Sequence, residues 1–165
     1  MNALDLSALA ASEQHFLASK LLSDYVECID EDRLEDWPDL FVEDCVYQVI
    51  SRENADRGLP TSAMYCDSRG MLRDRIVALR HANIYAKHYY RHVLSNVNVK
   101  GVQDGELLVQ SNYVVFQTLV EGDTQVFNAG KYVDRMVATP GGLRLKAKQV
   151  VFDTYRIPNL LVTPL

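Results

Sequence analysis

From Arg91 to Arg156 the chain passes through four segments of alternating apolar and polar residues, and this stretch constrains the fold more than any other. In the last segment Leu143, Leu145 and Ala147 interleave with Arg144, Lys146 and Lys148. That period of two places one set of side chains on a buried face and the other in water. Asp104-Gly105, Glu121-Gly122-Asp123 and Pro140-Gly141-Gly142 separate the segments, residue types that supply the positive or fixed φ of tight reversals. An antiparallel meander is therefore predicted. Its first strand alternates Val93, Ser95, Val97 and Val99 against His92, Leu94, Asn96 and Asn98. The second, Glu106 to Glu121, is apolar on both faces and would span roughly 50 Å if straight, so a bend or bulge is expected in it.

A sheet with one apolar face must be covered, and the part of the chain before Arg91 supplies the cover. Residues 1–11 read as a loose tail. Ser12-Glu13-Gln14-His15 then opens a helix whose apolar stripe, Leu17, Leu21, Leu22, Tyr25, Val26, Cys28 and Ile29, runs to about Asp30. A short second helix carries Leu34 and Trp37 up to Pro38, and Cys45 to Ile50 is a short strand. The polar run Ser51 to Ser62 reads as a surface loop. Ser68 caps a third helix, with Met71, Leu72, Ile76 and Leu79 inward and Arg69, Arg73, Asp74 and Arg80 in water. Residues 157–165 form an apolar tail that Pro158 and Pro164 keep extended, and such a tail docks on something. Three helices on one curved, mainly antiparallel sheet make an α+β cone with a central cavity, a single domain over residues 1–165.

Composition narrows the function classes. With 17 Lys and Arg scattered among 22 Asp and Glu and a net charge of -5, the chain has no basic surface for nucleic acid. The N-terminus lacks the basic and apolar regions of a signal peptide, and no apolar run is long enough for a membrane, which predicts a cytoplasmic protein. Cys28, Cys45 and Cys66 have no metal or disulfide spacing and read as buried thiols.

The chemistry available to four histidines is limited. His88 and His92 have the H-x-x-x-H spacing of a metal pair but lack the glutamate of the zinc-protease motif. No Cys-x-His pair exists to hold a Rieske cluster, and no nucleophile elbow or phosphate loop is present. One catalytic option remains, in which Tyr25, Asp44, Tyr47 and His92 gather inside the cone for acid-base work. Structural roles compete for each of them: a rung of a helix stripe, a loop end, a strand position, a hydrogen-bonding imidazole. Asp67, Arg69, Arg73, Asp74 and Arg75 form a charge run that reads either as a solvated helical face or as an Arg-lined interface.

Particular strings add to this. Glu35-Asp36-Trp37-Pro38-Asp39-Leu40-Phe41-Val42-Glu43-Asp44-Cys45-Val46-Tyr47, Arg52-Glu53-Asn54 with Arg57-Gly58, Asp67-Ser68-Arg69-Gly70-Met71-Leu72-Arg73-Asp74-Arg75-Ile76, Tyr90-Arg91-His92 and Val126-Phe127-Asn128-Ala129-Gly130-Lys131-Tyr132 occur in that order. Together they resemble the small (β) subunit of bacterial aromatic-ring-hydroxylating dioxygenases, over nearly the whole chain after residue 12. The resemblance is to subunits of enzymes acting on aromatic acids, the terephthalate, salicylate, anthranilate and ortho-halobenzoate oxygenases. It implies the cone fold shared with nuclear transport factor 2 and scytalone dehydratase.

It further implies a non-catalytic subunit that holds no metal or cofactor of its own. A trimer of β chains would form the base under three large α subunits, which carry the Rieske [2Fe–2S] cluster and the mononuclear Fe(II). Electrons would come from a reduced nicotinamide through a separate reductase or ferredoxin. For that role, residue character singles out Asp67, Arg73, Arg75, Arg91, His92 and Leu165 as subunit contacts. Two rival readings remain, a free-standing lyase or isomerase built on Asp44 and His92, and a small-ligand binding module.

Overall fold

The structure, a computed structural model, describes residues 4–82, 85–154 and 161–165. The start of the expected C-terminal tail, residues 157–160, and the Arg156 end of the expected fourth strand lie outside the described residues. After a 3-10 turn, Leu6–Ala8, comes helix α1, Ala11–Asp30. A second 3-10 turn, Trp37–Leu40, leads into β1, Phe41–Ser51, the short helix α2, Arg52–Asp56, and β2, Met64–Cys66. Helix α3, Arg69–His81, precedes the four long strands β3, His88–Gln103, β4, Glu106–Leu119, β5, Thr124–Thr139, and β6, Gly142–Phe152.

The meander expected from the alternation is present. The six strands lie in the order β2-β1-β6-β5-β4-β3, antiparallel except where β1 runs parallel to β6. Asp104 and Gly105 turn the chain between β3 and β4 with φ of 53° and 77°, the positive pair that a two-residue hairpin with the right twist requires. Helix α1 lies chiefly against β3 and buries Ala18, Leu21, Leu22, Tyr25, Cys28 and Ile29. From the sheet, Tyr47, Leu107, Val109, Tyr113, Val115, Tyr132, Met136, Leu145 and Val150 meet them in one cluster. Each fully buried large apolar side chain there contributes roughly 1.5–3 kcal/mol.

Several expectations need correction. The N-terminal segment is anchored from residue 5 onward: Asp5 caps the first turn through Ser7 N at 3.0 Å, Leu6 is buried, and Gln14 Nε2 donates to Leu6 O at 2.9 Å. The second helix is only the 3-10 turn that buries Trp37, and β1 begins at Phe41, four residues before Cys45. Within the expected loop after Ser51, the Ser51 hydroxyl caps α2 through Asn54 N, and Met64–Cys66 pairs with β1 as an unforeseen strand. Met71 is 40% exposed because Leu72, Ile76 and Leu79 define the inner face of α3 and Met71 sits about 100° around from it.

The bulges also fall elsewhere. Pairing shifts occur between Ser95 and Asn98, between Val99 and Gly101, and at Phe116 opposite Val126, so the extra residues belong to β3 and β5 while β4 stays regular. A fourth shift decides the interior. Arg135 pairs with Ala147 and Met136 with Leu145, which leaves Lys146 as the extra residue of β6. One inserted residue inverts the alternation. Lys148, expected in water beside Arg144 and Lys146, therefore joins Leu145 and Val150 on the buried face.

The expected third-helix cap is made. Ser68 Oγ accepts from Met71 N at 3.3 Å. Ser68→Ala should cost about 1 kcal/mol in thermal or urea unfolding, since it removes one satisfied helix-end N–H.

Candidate functional site

The inside of the cone is where a chain of this shape would place chemistry, and it is built from both layers. Tyr25 comes from the α1 stripe, Trp37 from the turn after it, Phe41 and Tyr47 from β1, Tyr113 from β4, Tyr132 from β5. Trp37 meets Tyr47 edge-on at 5.1 Å, Tyr25 meets Tyr132 at 6.1 Å, and Tyr113 stacks on Tyr132 at 4.3 Å. Burial pushes the phenols of Tyr25, Tyr47, Tyr113 and Tyr132 well above the usual tyrosine range, so none is a base at neutral pH.

Among these rings lies an ion pair. Lys148 Nζ is 3.1 Å from Asp134 Oδ1, and both side chains are 0% exposed. The ammonium sits 3.5 Å from the centre of the Tyr132 ring and 4.3 Å from that of Tyr25. Desolvation raises the Asp134 carboxyl and lowers the Lys148 ammonium, each opposed by the other's charge. Strict alternation hides this pair in the sequence, because the Lys146 bulge is what turns Lys148 inward.

The C-terminal segment fills what remains of this space. Leu161, Val162 and Leu165 are buried; Arg75 Nη2 donates to Leu161 O at 3.2 Å. Tyr25 OH donates to Leu165 O at 2.6 Å, and Leu165 N donates to Tyr47 OH at 3.0 Å. Tyr25 and Tyr47, expected to gather inside the cone, do so, but around the chain's own backbone. The central cavity expected from the sequence is filled here by side chains and the tail.

The expected acid and base are not brought together. Asp44 is on the outer face of β1 with its side chain 81% exposed, and the hydrogen bond from Lys146 holds its carboxyl below the ordinary range. His92 is paired instead with Asp30, the last residue of α1: its Nδ1 lies 2.6 Å from Asp30 Oδ1, and its backbone N donates to Oδ2 at 2.9 Å. Arg91 reaches Glu31 at 2.6 Å, and Arg80 holds Asp32 at 2.9 Å and Glu35 at 2.7 Å. The acidic run Asp30-Glu31-Asp32 opposite Arg91-His92 was the available signal, but it needs α1 laid beside β3 to be read.

The remaining expected contact residues separate into two groups. Asp67, Arg73 and Arg91 are at the surface, Arg73 with Asp39 at 3.2 Å. Arg75 is half-buried and holds the tail, while the side chains of His92 and Leu165 are fully enclosed and present no surface in a single chain. The outer face of the long sheet carries exposed apolar residues, Tyr89, Val93, Val126 and Val133, and Arg91, Phe116 and Val126 are in register across β3, β4 and β5.

Metal-binding donors are dispersed. Among the described residues no group of three or more His, Cys, Asp or Glu is placed to hold a metal ion. His88 Nδ1 is directed to Ala86 O and His92 Nδ1 to Asp30, so the H-x-x-x-H pair does not converge. Burial pushes the thiols of Cys28 and Cys45 up to about 11, consistent with packing rather than nucleophilic roles. Among the described residues no helix is long and apolar enough to cross a membrane.

Residues 25–159 match the family described as ring hydroxylating beta subunit. The anthranilate 1,2-dioxygenase small subunit of Burkholderia cepacia is 52% identical over 86% of this chain and 88% of its own length. The terephthalate 1,2-dioxygenase terminal oxygenase component subunit beta 2 of Comamonas sp is 37% identical over 86% of this chain and 92% of its own. A crystal structure assigned to the beta subunit of an aromatic-ring-hydroxylating dioxygenase of Novosphingobium aromaticivorans superposes with a TM-score of 0.85. Its sequence is 48% identical, and the match covers 94% of this chain and 99% of that one.

Proposed function

The chain belongs to the ring-hydroxylating beta subunit family, and from that premise we propose that it is the structural small subunit of an oxygenase acting on an aromatic acid in the cytoplasm. Aromatic acid is the substrate class in the names of its anthranilate and terephthalate relatives. In this reading three copies form the base of an α3β3 assembly. The α subunits carry the Rieske cluster and the mononuclear Fe(II), and a reductase or ferredoxin supplies electrons.

The observation that carries the proposal is the disposition of the interior. The space a cone enzyme would use for chemistry is occupied by Leu165 and the aromatic side chains around it, whereas apolar and cationic groups remain on the outside. A three-fold ring closes through heterologous contacts, so two different patches must meet. The outer face with Tyr89, Val93 and Val126 is assigned to self-association. Asp67, Arg73 and Arg91 are assigned to the α subunit. Arg91 and Arg73 hold only exposed, solvent-screened intramolecular pairs, so re-pairing across an interface is cheap. The lyase or isomerase alternative has no support of this kind, since its acid, Asp44, is outside the cone.

Co-expression with the α subunit and sizing of the product tests the reading. The expected outcome is a hexameric complex active on aromatic acids and an inactive chain on its own. Val126→Asp should weaken self-association, and Arg91→Ala α binding, by about tenfold or more in sedimentation or pull-down titrations. Turnover of an aromatic acid by the isolated chain, or indifference to any α subunit, would overturn it.

A further inference from the structure

A cavity of about 360 Å³ opens between the end of α1 and the start of β3, with Ile29, Asp30 and Asp32 on one side and Tyr85, Lys87, His88 and Tyr90 on the other. That volume lies in the ~300–1,000 Å³ range of small-molecule sites. Its second wall is a ladder of rings in contact, Tyr85 to His88 at 5.6 Å and His88 to Tyr90 at 4.8 Å. The ladder is held from behind, since Tyr90 stacks on Phe127 at 5.2 Å and His88 Nδ1 lies 2.8 Å from Ala86 O. Tyr90 is 4% exposed, and its hydroxyl makes no hydrogen bond of good geometry, Gln117 being near enough only to temper its pKa.

The charges at the rim are unequal in a way that selects a ligand. Asp30 is taken up by His92 and Asp32 by Arg80, so neither carboxylate is free. Lys87 has no carboxylate partner among the described residues. The cavity thus combines flat apolar walls with an unmatched cation. With a neutral aromatic bound, Lys87 is matched only by water; a planar anion offers its ring to the ladder and its charge to Lys87.

We propose that this cavity binds a one-ring aromatic carboxylate, with the ring along the Tyr85-His88-Tyr90 ladder and the carboxylate on Lys87. The ligand class is the one the assembled oxygenase would handle, and in that respect the inference rests on the reading above.

The test uses the isolated full chain and 2-aminobenzoate, whose own fluorescence reports binding. Saturable binding at one per chain with a Kd of about 1 mM or tighter is expected. Benzamide, which keeps the ring and lacks the charge, and the Lys87→Gln variant titrated with 2-aminobenzoate should each bind about tenfold more weakly. Lys87 is exposed, so its variant is expected to fold, and circular dichroism verifies that. Absence of saturable binding up to about 10 mM, or equal affinity for benzamide or for Lys87→Gln, overturns the proposal. A negative result leaves α-subunit assembly untouched, because assembly is read by co-purification and this site by ligand titration.

Discussion

Asp134→Ala is expected to lower the stability of the folded chain by about 3–5 kcal/mol, with a fall in Tm of roughly 10 °C. The substitution leaves the Lys148 ammonium at 0% exposure with only ring faces around it. Cation-π attraction to Tyr132 and Tyr25 offsets part of that cost, on the order of 2 kcal/mol for a desolvated cation. Lysine can also escape by deprotonating, and from its ordinary value of 10.5 this costs about 5 kcal/mol at pH 7, which sets a ceiling on the loss.

The pH dependence has a definite sign. A lysine whose folded pKa is depressed contributes stability that is present above 10.5 and is lost as pH falls through the folded value. The deficit of Asp134→Ala should therefore shrink, by about 2 kcal/mol, between pH 7 and pH 9. In the native chain Asp134 is raised and Lys148 lowered, each chiefly by desolvation, so both charges are worse off inside than in water. Replacing both, as Asp134→Leu with Lys148→Met, should accordingly be neutral within about 1 kcal/mol or stabilising. Urea unfolding of the single and double variants at the two pH values measures all three quantities. A single variant as stable as the parent would show that the pair is not enclosed as described.

Gly130→Ala is expected to cost about 3 kcal/mol or more, for a different reason. Gly130 lies in β5 opposite Tyr113 of β4 and Phe152 of β6. A Cβ there would stand 2.0 Å from Val151 O and 2.9 Å from Phe152 Cα. Side chains can rotate away from an intruding methyl, but these atoms are main chain. Relief requires β6 to move, and β6 also holds β1 through pairs such as Val150 with Val49 and Val151 with Ile50. Asp153 N, bonded to Ala129 O at 3.0 Å, would be displaced with it. Thermal unfolding should show a Tm lower by roughly 6–12 °C, and amide exchange should accelerate at Val151 and Phe152 before it does so in β3. A loss below about 1 kcal/mol would mean that the strands separate there at little cost.

Much of the architecture was legible because it rests on local periodicity. The α1 stripe around Leu21, Leu22 and Tyr25, the Ser68 cap and the Asp104-Gly105 reversal each require only residues a few positions apart. Errors arose wherever one residue changed the phase. Counting apolar residues rather than angles puts Met71 inward, and strict alternation puts Lys148 in water, because a bulge at Lys146 leaves no mark in the pattern.

The candidate site was less legible, since its parts come from distant segments. Tyr25, Tyr47 and the tail were each recognisable as apolar, but their junction at Leu165 O joins positions more than a hundred residues apart. For His92 the expected partner, Asp44, follows from gathering acid and base inside one cone, whereas Asp30 is the carboxylate that α1 carries to the edge of β3.

The sequence by itself determined the long helices α1 and α3, the meander and the kinship to ring-hydroxylating beta subunits, because these depend on repeat periods, turn residues and strings read along one dimension. The tertiary structure alone decided which charges are enclosed, which acid meets His92 and what fills the cone. The enclosure of Lys148 depends on strand register, which a single inserted residue reverses without altering composition or pattern, while the partner of His92 and the filling of the cone depend on α1 and the C-terminal segment docking against distant strands.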